Sequence, residues 1–140
     1  MAKTLTQKVV FKNTTPEQLY DLYMDAKLHS LVTGAPAKIT KKEGASFTAH
    51  GNYIKGKNFQ LVPGKLIVQS WRGTDWAKTN IDSIFILSFE KKGKDAILNM
   101  VHANIPDKEA GGIKSGWNDY YWTPWKTHLA GGKVKRKKSM

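Results

Sequence analysis

The sequence has no cysteine, which excludes a disulfide scaffold, a thiol nucleophile and any cysteine-held metal. Arginine is nearly missing as well: among 23 basic residues only Arg72 and Arg136 carry a guanidinium. Specific reading of phosphates or guanine edges favours that planar fork over the point charge of lysine. The net charge of +12 therefore reads as a solubilising lysine surface, with no specific nucleic-acid partner expected. No stretch approaches the roughly 18 apolar residues of a membrane span, so no membrane insertion is expected. The start, "MAKTLTQKVVFK", has no long apolar run behind its first lysine, which points to no signal peptide and a cytoplasmic location. His29, His50, His102 and His128 show no metal-ligand spacing, and the chain has neither a Gly-x-Ser-x-Gly elbow nor a phosphate-binding loop. Asp75, Asp82 and Asp95 fall at strand ends or turns, where a solvated role is the default. No catalytic residue, cofactor or metal is assigned, and an enzyme is the less expected outcome.

What remains is a soluble, globular composition, 40% hydrophobic and 24% charged. Its 140 residues suit one domain with a single core, placed at 1–130. A basic tail at 131–140 follows, with Lys133, Lys135, Arg136, Lys137 and Lys138 beyond a Gly-Gly pair, and is expected to be disordered. Leu5 to Lys12 reads as a strand. In "TTPEQLYDLYM", Thr15 caps a helix, Pro16 fits its first position and Gln18 completes a capping box. Leu19, Leu22 and Tyr23 share one face of that helix, and a second short helix, Ala26 to Val32, stops at Gly34.

From Pro36 to Ile105 six short segments alternate with turns: "PAKIT", "ASFTAH", "YIKGKNFQLV", "KLIVQSWR", "IDSIFILSFE" and "DAILNMVHAN". Short loops imply antiparallel neighbours, hence a meander. Helical spacing returns from Ile113 to Leu129, where Trp117, Tyr121, Trp125 and Leu129 recur every fourth residue. Pro124 inside that run predicts a kink near residues 120–124. A sheet with an apolar concave face must be covered, and this helix is the only long amphipathic element left to do so. The expected class is α+β, a helix-grip fold: a curved antiparallel sheet of about seven strands wrapped around a long C-terminal helix.

The same residues carry a family resemblance. Gly51 and Gly56, Leu61 and Pro63, Ile67, Val68, Trp71 and Arg72, then Gly116, Trp117, Tyr120 and Tyr121 resemble the C-terminal domain of the activator of the ninety-kilodalton heat-shock chaperone ATPase and its stand-alone bacterial relatives. The resemblance runs from about Phe11 to about Leu129. It implies the fold of the START/Bet v 1-like superfamily, which includes lipid-transfer domains, plant allergens and polyketide cyclases. The eukaryotic activator carries a separate N-terminal domain that does much of the chaperone engagement, and these 140 residues are not expected to hold it. The expected function is thus non-catalytic binding of a small hydrophobic ligand between sheet and last helix. A module that partners a heat-shock chaperone is the alternative, and a cyclase-like enzyme a weaker one.

Alternation along the strands selects the residues of the inner face. Leu98, Met100 and His102 share one side of their strand, and Ile67, Gln69 and Trp71 share one side of theirs. Phe47, Ile54 and Asn58 join them from the preceding pair, and Trp117, Tyr121 and Trp125 from the helix. His102 reads either as a hydrogen-bonding group for a ligand or as a histidine satisfied by a neighbouring element. Gln69 could orient a ligand, while Trp71 packs on the last helix and Arg72 points to the surface. A void of roughly 300 Å³ or more would favour the ligand, and a filled grip the interaction role.

Overall fold

A computed structural model describes residues 2–131. Strand β1 (Ala2–Phe11) leads into helices α1 (Pro16–Met24) and α2 (Ala26–Thr33), then strands β2 (Ser46–Ala49), β3 (Ile54–Val62), β4 (Leu66–Gly73), β5 (Ser83–Lys92) and β6 (Asp95–Pro106). A 3₁₀ turn (Asp107–Glu109) opens the terminal helical segment, which continues through α3 (Ala110–Trp117), a π-helical turn (Asn118–Trp122) and α4 (Thr123–Leu129). The strands form one sheet, ordered β1-β6-β5-β4-β3-β2, with every pairing antiparallel.

The capping box forms as read: the Gln18 amide donates to Thr15 Oγ1 at 3.2 Å, and the Thr15 amide donates to Gln18 Oε1 at 2.8 Å. Asp25 ends α1 and caps α2, its carboxylate accepting from the amides of Lys27 and Leu28. Gly34, at φ 76°, ends α2 in the left-handed conformation that glycine adopts without strain. Both helices turn an apolar side inward; Leu19, Leu22, Tyr23 and Val32 are buried.

The meander holds five strands rather than six. The segment "PAKIT" contributes one isolated bridge, Lys38 to Thr48, and no ladder. Pro36 cannot donate, and the carbonyls of Thr40 and Lys42 are taken by the Asn58 side-chain amide instead of a neighbouring strand. A bulge between Asn58 and Gln60 then breaks strict alternation in β3.

The kink expected at Pro124 takes the form of the π-helical turn. Proline offers no N–H to the carbonyl four residues back, and its ring crowds that carbonyl. The helix widens just before it: the Thr123 amide donates to the Asn118 carbonyl, five residues away. That extra residue brings the adjacent Tyr121 and Trp122 both into the core, where Trp122 stacks on Trp117 at 5.2 Å and 11°. Simple fourfold spacing selects Tyr121 and passes over Trp122. The helix is gripped along its length, with Trp125 packed 6.0 Å from Phe11 at one end and Trp117 5.3 Å from Phe85 at the other. The basic tail expected at 131–140 lies, apart from Gly131, outside the described residues.

Candidate functional site

A cavity of about 280 Å³ lies at one end of the grip, between α3 and the ends of β3 and β4. One helical face supplies Glu109, Gly112, Ile113, Gly116, Trp117 and Tyr120, and Tyr121 follows at the π-helical turn. The sheet side supplies His50, Tyr53 and Ile54 around the β2–β3 turn, then Trp71 and Trp76. Six aromatic side chains therefore meet in one small space.

Trp76 reaches the cavity because its loop is folded back and pinned. Gly73 makes the approach possible: a Cβ there would stand 2.5 Å from Trp76 Nε1. Arg72 donates to the carbonyls of Ala77 and Asn80, each at 2.6 Å, and to Asp82 at 3.2 Å, while its guanidinium lies 6.0 Å from the Trp76 ring. Arg72 does leave the concave face, as alternation requires, but it organises the loop that carries a cavity wall.

Four of the residues selected from the sequence line this space: Ile54, Trp71, Trp117 and Tyr121. Phe47, Ile67, Leu98, Met100 and Trp125 are packed in the core away from it. Asn58 and Gln69 are also outside the lining, because protein groups already occupy them. The Tyr23 hydroxyl donates to Gln69 Oε1 at 2.8 Å, Gln69 Nε2 donates to Asn58 Oδ1 at 2.6 Å, and Asn58 Nδ2 donates to the carbonyls of Thr40 and Lys42. The chain joins α1 to two strands and the segment before β2, and ends on backbone acceptors.

His102 takes the second of its two readings, a histidine satisfied by neighbouring elements. The Trp117 indole donates to His102 Nδ1 at 3.1 Å, so Nε2 carries the proton and donates to Ser83 Oγ at 2.8 Å. Ser83 in turn donates to the Trp71 carbonyl at 2.6 Å. Burial holds the imidazole neutral, with its pKa lowered to about 3.

A second chain backs the cavity wall. His29 Nδ1 donates to the Tyr23 carbonyl at 2.8 Å, leaving Nε2 to accept from the Tyr121 hydroxyl at 2.9 Å. With that proton committed, His50 Nε2 must donate to Tyr121 Oη, 3.2 Å away. Burial lowers both histidines to about 4, and it pushes the Tyr121 hydroxyl up. At neutral pH the wall is therefore uncharged at His50. Tyr53 donates to Asp75 Oδ1 at 2.8 Å, and its pKa is pushed up to about 12, by burial first, then by Asp75 and by the nearby charge of Glu109. Apart from its tyrosines, the ionisable side chains of the lining are Glu109 and His50. No group of three or more metal-binding side chains occurs among the described residues.

His50, Tyr53, Trp76, Glu109, Gly112, Ile113, Gly116 and Tyr120 escaped sequence selection. Trp76 alone left a usable sign, a large apolar residue inside an otherwise polar turn. The face of α3 was readable once its start was known, but the helix begins at Ala110, before the expected Ile113.

The model of the family described as "Activator of Hsp90 ATPase homolog 1-like protein" matches residues 13–129. The human "Activator of 90 kDa heat shock protein ATPase homolog 1" is 30% identical over 123 residues, covering 86% of this chain and 36% of that protein. The chain thus spans about a third of the length of such curated relatives. Among solved structures, an HSP90 activator from Plasmodium falciparum superposes with a TM-score of 0.79 at 23% identity, covering 93% of this chain and 96% of that one. Ara h 8.0201 superposes with a TM-score of 0.75 at 11% identity, covering 94% and 100%. These structures share the helix-grip fold of Bet v 1-like proteins, and the chain belongs to the Activator of Hsp90 ATPase homolog 1-like family.

Proposed function

We propose that this chain binds a small, flat hydrophobic ligand in the cavity beneath α3, without catalysis. The observation that carries this is the cavity itself: about 280 Å³ walled by six aromatic side chains, with glycines at 112 and 116 where any larger residue would project into it. Its volume falls just under the roughly 300 Å³ at which the usual ligand range begins, which restricts the occupant to roughly bicyclic size. The centre of the grip, by contrast, is filled by Trp125, Leu98, Met100 and Phe85. A sterol or long acyl chain would have to displace that core.

A second reading has its own support. The family match and the human relative favour a module that assists a heat-shock chaperone. The two readings separate in a pair of measurements. Bicyclic aromatic compounds should raise the melting temperature and quench tryptophan emission by binding only the folded state. No shift across such compounds, together with stimulation of a ninety-kilodalton chaperone's ATPase, would replace ligand binding with the chaperone role.

A further inference from the structure

We infer that the cavity selects ligands carrying a positive charge: a flat aromatic amine or comparable organic cation, in preference to its neutral or anionic isostere. This rests on the cavity being a ligand site. The chain as a whole is strongly basic, with 23 lysines and arginines against 11 acidic residues, yet no lysine or arginine lines this space. Its one carboxylate is Glu109, half-buried at the first turn of the terminal helical segment. Among the described residues that carboxylate shares no hydrogen bond and no ion pair.

The remaining walls reinforce the sign. Aromatic rings present negative faces to a cation, an attraction that grows as water is excluded. Tyr53, Trp71, Trp76, Trp117, Tyr120 and Tyr121 all reach the space. His50, the only lining group that could oppose a cation, is held neutral by burial. Outside the lining, Asp75 stands behind Tyr53 and Arg72 behind Trp76, so the charge that faces the space itself is that of Glu109. A carboxylate ligand would meet Glu109 with no cation in the lining to compensate. A neutral ligand would gain burial but not charge.

Three naphthalene probes of one shape isolate the effect: 2-naphthylmethylamine, 2-naphthylmethanol and 2-naphthoate, titrated at neutral pH against the full chain by tryptophan quenching and calorimetry. The amine should bind about tenfold tighter than the alcohol, and the naphthoate more weakly than either. Glu109→Gln should shrink the amine-to-alcohol ratio towards one, and Glu109→Lys should invert the order of amine and naphthoate. Equal binding of amine and alcohol, or a Glu109→Gln variant that keeps the tenfold ratio, overturns charge selection while leaving the cavity as a ligand site. Binding of none of the three overturns both.

Discussion

The indole N–H of Trp117 points at Nδ1 of His102 across 3.1 Å, from the terminal helix to the floor of the sheet. That bond fixes the imidazole tautomer and leaves Nε2–H for Ser83. It also ties one of the helix's three buried tryptophans to β6. Trp117→Ala should cost about 3–5 kcal/mol by opening a core cavity. Trp117→Phe keeps most of the volume but leaves a buried acceptor unpaired, for about 1–3 kcal/mol. Urea unfolding measures both, and an unchanged midpoint in the alanine variant would remove Trp117 from this role.

Acid should destabilise the fold through its buried histidines. His29 and His50 are lowered to about 4 and His102 to about 3, all by burial. Between these values and the ordinary 6.5, the unfolded chain binds protons that the folded protein refuses. Stability is therefore full above pH 6.5, declines as pH falls towards 3–4, and levels off below. Each histidine contributes a slope of up to roughly 1.4 kcal/mol per pH unit in that window. Urea midpoints at pH 7 and pH 5 should differ clearly; equal midpoints would contradict the neutral, buried assignments.

Two glycines of α3 offer a way to close the cavity without harming the fold. A Cβ at Gly112 meets nothing within 4 Å, and one at Gly116 meets only Tyr120, at 3.9 Å. Gly112→Ala should stabilise the helix by about 0.5–1 kcal/mol. Gly116→Leu should fill the space and abolish binding of 2-naphthylmethanol, with a melting temperature close to that of the parent. Undiminished binding in Gly116→Leu would place the ligand elsewhere.

Arg72 should matter to the site although it lies on the other face of its strand. Removing its bonds to the carbonyls of Ala77 and Asn80 frees the loop that holds Trp76. Arg72→Met should shift Trp76 emission to longer wavelength and weaken 2-naphthylmethanol binding several-fold, at a stability cost of about 1–2 kcal/mol. Near-wild-type binding would show that Trp76 is held by packing on Gly73 alone.

Local signals in the chain were sufficient for much of the fold. A threonine three residues before a glutamine, a glycine after an apolar turn and period-two alternation act over neighbouring residues, so α1, α2 and the strand pairs from β2 to β6 follow directly from them. The aromatic repeat from Trp117 to Leu129 is equally local, and it identified the helix that the sheet grips. Proline at 124 announced a deformation, but whether it would be a bend or a π-helical turn depended on the room that the core gave Trp122.

The site was decided by contacts that no local pattern records. Alternation puts Gln69 and His102 on an inner face but does not name the partners that satisfy them, Tyr23, 46 residues away, and Trp117, 15 residues away. His29 and Tyr121 meet across 92 residues of sequence, and their bond orients His50 at the cavity wall. Alternation tells which side of a strand a residue occupies. Whether that side ends as filled core or open space depends on the volumes that arrive from the opposing element, and only there do the glycines of α3 leave room.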